Sequence, residues 1–171
     1  MATLHFICGK AGSGKTTLAR ALGQSLPAVV FCEDEWISTL GFEIRSLGDF
    51  LAASTRCRAL IGPFAVQLLQ RGVSVVFDFA GNTPTARHWV RGLFEAAGAD
   101  HVLHVIEASD ADCLANIHRR NDEKPTGVYW GHVTDEIFHA VTPYFTLPQP
   151  EEGFRIKACR PMQHEGAPGT S

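Results

Sequence analysis

No apolar run in this chain approaches the roughly 20 residues of a membrane-spanning helix, and no cationic start followed by an apolar core marks a signal peptide. A membrane role is therefore not expected, and the reading points to the cytoplasm. An excess of positive charge is missing as well. Lys and Arg number 15 against 18 Asp and Glu, a net charge of −3. No global field draws in nucleic acid, although a local basic groove stays open. The five cysteines, Cys8, Cys32, Cys57, Cys113 and Cys159, form no C-x-x-C pair and are odd in number. They read as small buried apolar residues in a reducing compartment. The eight histidines match no zinc-site spacing, and His101 and His104, three apart on an expected strand, face opposite sides of it. Nothing in the sequence speaks to oligomeric state.

What is present is concentrated first in Gly9-Lys10-Ala11-Gly12-Ser13-Gly14-Lys15-Thr16-Thr17, which fills every fixed position of G-x-x-x-x-G-K-[ST]. A short apolar run, Leu4 to Cys8, precedes it, and Leu18, Leu22 and Leu26 follow at helical spacing. Strand, glycine loop and helix start in that order suit phosphate binding: glycines let the backbone come close, and unpaired N–H groups with the helix dipole favour an anion. Gly9, Ala11, Gly12, Ser13, Gly14, Lys15, Thr16 and Thr17 are the expected nucleotide contacts. Lys15 would reach the β- and γ-phosphates and the Thr16 hydroxyl would ligate Mg²⁺.

Length of 171 residues and 45% hydrophobic content suit one soluble domain. Ala28–Cys32, Val73–Phe79 and His101–Glu107 are apolar runs with the pattern of strands buried on both faces of a parallel sheet. Residues 36–55 resist assignment. A helix is expected between Asp49 and Arg71, kinked or restarted at Gly62-Pro63. Thr83-Pro84 opens another, closed by Gly98. Further helices are expected from Asp110 to Asn121 and from Thr134 to Val141, with a loop over 122–132, a proline-rich connector, and a last strand at Phe154–Ala158. Alternating strands and helices predict an α/β three-layer sandwich around a parallel sheet of about five strands. The expected domain spans 1–159 with a helical lid at about 118–133, and 160–171 read as a disordered tail.

Ligands in such folds sit at the carboxyl ends of the strands. There the chain offers Asp34 between two glutamates after the second strand, and Asp78 after the third. Asp34 could ligate Mg²⁺ through water or take a proton from an attacking hydroxyl. Asp78 would position Mg²⁺ through its water shell. Asn82 either reads substrate or caps the turn. After the fourth strand, Arg119 and Arg120 would clamp the charge that spreads over a transferring phosphoryl group. Trp36, Phe42, Phe50, Tyr129 and Trp130 could stack on a planar ligand or belong to the core.

Taken together, these residues resemble the small phosphate-loop kinases that include zeta toxins, chloramphenicol phosphotransferase and the kinase domain of phage polynucleotide kinase, and most closely bacterial ATP-binding proteins of that group. The resemblance runs from about Leu4 to Ile156. It is carried by Gly9–Thr17, Asp34, Asp78 with Asn82, Arg119-Arg120-Asn121 and Glu152-Gly153-Phe154. It implies Mg-ATP as donor, Asp34 as the base for the acceptor hydroxyl, and lid cations as clamps, with Lys124 at a second basic lid position where relatives carry arginine. Polynucleotide kinases also carry an arginine three residues after the Asp, where this chain has Ile37. That departure and the acidic charge weigh against nucleic acid. The expectation is a kinase acting on a hydroxyl of a small molecule. The alternatives are a 5′-hydroxyl polynucleotide kinase and a nucleotide-dependent switch without acceptor.

Overall fold

The computed structural model describes residues 1–124 and 131–161. Five parallel strands, β1 (Thr3–Cys8), β2 (Ala28–Cys32), β3 (Ser74–Asp78), β4 (Asp100–Ile106) and β5 (Ile156–Cys159), form one sheet in the order β2-β3-β1-β4-β5. The register places Cys32 opposite Asp78 and Cys8 opposite Val105, so three strands end along one rim.

Six α-helices lie among the described residues: α1 (Lys15–Ser25), α2 (Glu33–Thr39), α3 (Leu47–Gln70), α4 (Pro84–Ala97), α5 (Asp110–Glu123) and α6 (Asp135–Val141). On one face of the sheet α1 packs Ala19, Leu18 and Leu22 against Ile7, Val76 and Ile106. On the other, α3 and α4 bury Cys57, Ile61, Ala65, Val90 and Phe94 against Leu4, Phe6 and Phe77. A third cluster joins α5 to α6 through Cys113, Ile117 and Phe138. The inner strand β3 carries the apolar run Val75-Val76-Phe77 because both faces are covered, whereas the edge strand β5 includes Lys157 and is mostly exposed.

The structure assigns two segments that the sequence left open. Glu33–Thr39 is helical from its first residue, so Asp34 sits in a helix's first turn. And α3 runs for 24 residues with Pro63 inside it, so the helix does not restart there. A proline inside a helix forfeits a hydrogen bond and costs about 3 kcal/mol. Burial of Ile61, Ala65 and Leu69 on the same helix outweighs that cost. Helix α5 also continues two residues beyond Asn121, to Glu123. The expected loop residues 125–130, with Tyr129 and Trp130, and the tail residues 162–171 lie outside the described residues.

Four of the cysteines are buried and all five are free. His101 stacks on Phe94 at 4.0 Å, whereas His104 turns to His5 and Cys159, so the two do face opposite sides of β4.

Candidate active site

The loop between β1 and α1 needs left-handed backbone at Gly12 (φ 73°) and Gly14 (φ 95°), which glycine adopts without strain. Gly12 is also pressed against α5. A Cβ there would come within 2.3 Å of the Cys113 carbonyl oxygen, so no side chain fits. Helices α3, α4, α5 and α6 each open on a hydroxyl that accepts a backbone N–H: Ser46, Thr83, Ser109 and Thr134. Helix α1 opens instead on Gly14, with no side-chain cap and no acid in its first turn. Its first N–H groups and its dipole are thus left to an external anion.

Lys15 folds back over this loop, its Nζ donating to the carbonyls of Gly9 (2.9 Å) and Lys10 (2.8 Å). Desolvation pushes its pKa down, while Asp78 and Asp34 pull it back up. These opposing influences mean that both carboxylates address the same ammonium. Ser13 is buried, and its Oγ has no hydrogen-bond partner among the described residues. The uncapped helix, the lysine folded over the loop and the orphaned hydroxyl fit a polyphosphate.

Asp78 ends β3, buried, and the Cys32 thiol donates to its Oδ2 at 3.3 Å. Burial beside that carboxylate pushes the Cys32 thiol well above its ordinary pKa, so it stays a protonated donor. Thr16, Arg20, Cys32, Glu35 and Asp78 are among the residues lining a cavity of about 280 Å³, and Arg20 pairs with Glu35 at 3.2 Å. The hydroxyl of Thr16 and the carboxylates of Asp78 and Asp34 are the hard oxygen donors that Mg²⁺ takes, together with water and phosphate. A bound Mg²⁺ would neutralise phosphate charge there. Among the described residues no cluster of three or more His, Cys, Asp or Glu could hold a metal by itself.

Asn82 is drawn to the loop: its Oδ1 accepts the Gly9 N–H at 3.0 Å. Behind it the buried Arg87 pairs with both carboxylate oxygens of Glu152 (2.6 and 2.8 Å) and donates to the carbonyls of Gly81 and Thr146. The pair holds Glu152's pKa below its ordinary value, chiefly by hydrogen bonding. Glu152 thus anchors the connector to the turn that carries Asn82.

On the far side of the loop, Asn116 of α5 donates to the Gly12 carbonyl at 2.9 Å and accepts from Arg119 at 3.2 Å. Arg119 lies within 3.9 Å of Glu123 as well. Arg120 is half-buried, and its Nε has no partner among the described residues. Asn121 clasps the backbone of Val133 with two hydrogen bonds, at 2.7 and 3.1 Å. This fixes both ends of the segment that contains residues 125–130. Lys124 is the exposed left-handed C-cap of α5, at the edge of that segment.

Glu33, unlike the exposed Glu35, is buried beside Ser54 and Arg58 of α3. Trp36, Phe42 and Phe50 are partly buried against the main core. Sequence reasoning missed Arg58, Arg87 and Asn116. None belongs to a motif, and their partners lie 25 to 104 positions away.

A family model described as an AAA domain matches residues 4–147, and the chain belongs to that family. No protein of curated function matches it. Among solved structures it is similar to a candidate kinase from Chloroflexus aurantiacus J-10-fl, at TM-score 0.75 and 16% identity over 93% of this chain and 85% of that one. A gluconokinase from Sinorhizobium meliloti 1021 superposes at TM-score 0.59, with 17% identity over 95% and 83% of the two chains. The Mycobacterium tuberculosis APS kinase CysC, in complex with AMPPNP and APS, does so at 0.61, with 22% identity over 95% and 90%. At these identities the likeness is one of fold.

Proposed function

We propose that this AAA domain protein is an ATP- and Mg²⁺-dependent phosphotransferase that moves the γ-phosphate to a hydroxyl of a small molecule. One observation carries the reading: Lys15, Asp34 and Asp78 converge electrostatically beside the uncapped start of α1, at the strands' carboxyl ends. Lys15 and the loop N–H groups hold the β- and γ-phosphates, and Thr16 with Asp78 holds Mg²⁺. Asp34 orients the acceptor hydroxyl and takes its proton, and the half-buried Arg120, with Arg119 as alternate, clamps the transferring group. Lys124 and the segment it borders belong to a lid over 118–133 that excludes water on closing. The unit is one domain over 1–159 working in the cytoplasm, in keeping with its free cysteines.

Kinases among the neighbours in fold support a phosphoryl acceptor over a bare switch. A nucleic-acid acceptor is disfavoured because Ile37 is buried in the core, so no cation faces outward where polynucleotide kinases carry arginine. Among the described residues no helix is long and apolar enough to cross a membrane. Incubation with [γ-³²P]ATP, Mg²⁺ and a panel of sugars, sugar acids, nucleosides, amino sugars and oligonucleotides tests the reading. A labelled small molecule supports it. Label on oligonucleotides alone supports the polynucleotide alternative, and slow hydrolysis without any labelled acceptor supports the switch.

A further inference from the structure

Helix α3 leads down into β3, so its side chains, which tilt toward a helix's N-terminus, lean toward the rim where β2 and β3 end. Arg58 is the half-buried cation on that slope, whereas Arg56 is exposed and lies over Phe42. Its guanidinium lies 5.2 Å from the ring centre of Trp89 and 5.9 Å from that of Phe79, the residue after Asp78. These faces hold the planar head by cation–π attraction without using its N–H groups. Among the described residues its one hydrogen bond runs from Nε to Glu33, the residue before Asp34, and is 3.5 Å long. Charge-assisted bonds of this kind are usually about 2.7–2.9 Å. The same Glu33 oxygen accepts from Ser54, so the carboxylate is shared. Neither Nη group has a hydrogen-bond partner among the described residues, and neither is an orphaned buried atom. An arginine stacked on two rings, tethered by Nε and open along its Nη edge presents the fork that reads a planar or tetrahedral anion.

We propose that Arg58 is a specificity-determining residue of the acceptor site and that the acceptor carries an anionic group, a carboxylate, sulfate or phosphate, beside the hydroxyl that is phosphorylated. The proposal rests on the phosphotransferase reading for the place of the hydroxyl, next to Asp34. Glu33 is a positioning residue here: it aims the guanidinium. Neutral polyols would leave the Nη edge unpaired in a closed site, and acids would satisfy it.

Two measurements separate this proposal from the reading it rests on. In the first, side-chain ¹⁵N resonances of Arg58 are followed while acetate or sulfate is added to the protein saturated with Mg-AMPPNP, with acetamide as neutral control. A saturable shift at Arg58, absent at Arg56 two residues earlier, supports the proposal. A linear shift, or one shared with Arg56, overturns it whatever the protein phosphorylates. In the second, label transfer is compared within matched pairs, gluconate against glucitol and glycerate against glycerol. Acids should be preferred, and Arg58→Gln should lower their kcat/KM by roughly 10–100-fold while ATP affinity holds. Equal use of the neutral members overturns the proposal. A silent panel counts against phosphotransfer alone, with Arg58 decided by the titration. Should Arg58→Gln fail to fold, Arg58→Lys keeps the charge but removes the fork, and the same loss of acid preference is expected from it.

Discussion

The Asn82 side chain accepts the backbone N–H of Gly9 at 3.0 Å, tying the turn after β3 to the first residue of the phosphate-binding loop. The same turn is held from behind, since Arg87 donates to the Gly81 carbonyl and the Thr146 N–H to the Asn82 carbonyl. Sequence alone left Asn82 between reading substrate and capping a turn, and its amide oxygen is engaged on the loop. Asn82→Ala should therefore loosen the loop and weaken ATP binding about 5–10-fold, the worth of one net hydrogen bond. Calorimetry of Mg-ATP binding checks it. An unchanged ATP affinity with a raised acceptor KM would return Asn82 to the substrate.

Lys15→Ala removes the ammonium that now rests on the Gly9 and Lys10 carbonyls. The folded protein should remain, because Lys15 lies over the loop and belongs to none of the hydrophobic clusters, and desolvation already works against its charged form. ATP binding or turnover should be lost. Wild-type affinity and wild-type turnover in a folded variant would remove the phosphate-loop argument.

Arg120 and Arg119 differ in their surroundings. Arg119 is bound to Asn116 and near Glu123, whereas Arg120 holds a buried Nε with no partner among the described residues. Arg120→Ala should slow turnover by roughly 10³-fold or more, as arginine fingers do, while raising the ATP dissociation constant far less. Arg119→Ala should act more weakly and through the loop, since Asn116 also donates to the Gly12 carbonyl. Single-turnover rates beside ATP titrations check the pair. If neither variant slows transfer tenfold, both are surface groups at a helix end.

Legibility in the sequence followed the range of the interactions. The loop and α1 were readable because phosphate binding fixes residue types at adjacent positions. The strands were readable because burial on both faces leaves unbroken apolar runs such as Val75-Val76-Phe77. Helix α3 was readable as a helix between Asp49 and Arg71, but not its start at the Ser46 cap within a mixed segment, nor its continuity past Pro63, which rests on tertiary packing. Arg87 with Glu152, 65 positions apart, and Asn116 with Gly12, 104 apart, are joined only by the fold. No local pattern encodes such pairs.

His104, away from the active rim, offers a test of the core. It is 2% exposed beside His5, and burial, then the charges of His5 and Lys157, push its pKa down from 6.5 to about 4. Between these values the unfolded chain binds a proton that the folded chain refuses. Stability is thus fully present above about pH 6.5 and falls as pH drops toward 4. Each 1 kcal/mol corresponds to roughly 2–4 °C at this size. His104→Gln should flatten the acid limb of melting temperature against pH by several degrees. An unchanged limb would assign acid sensitivity to other groups.

Asp34 decides between enzyme classes. It stands in the first turn of α2, where the helix start favours a negative charge, and it acts on Lys15 together with Asp78. As the base of a kinase it would contribute roughly 10²–10⁴ in rate, much of it by orienting the hydroxyl, because the phosphoryl transition state is loose. Asp34→Asn keeps the size and one acceptor while removing the charge. Transfer to an acceptor should fall by that factor with ATP affinity nearly intact. Glu35→Gln should be silent, since Glu35 pairs with Arg20 at an exposed site. Glu33→Gln should disturb Arg58 rather than ATP, because that buried carboxylate faces α3. If Asp34→Asn instead weakens Mg-ATP binding as much as Lys15→Ala does, Asp34 serves the metal. If it alters neither binding nor transfer, the kinase reading loses its base and the nucleotide switch takes its place.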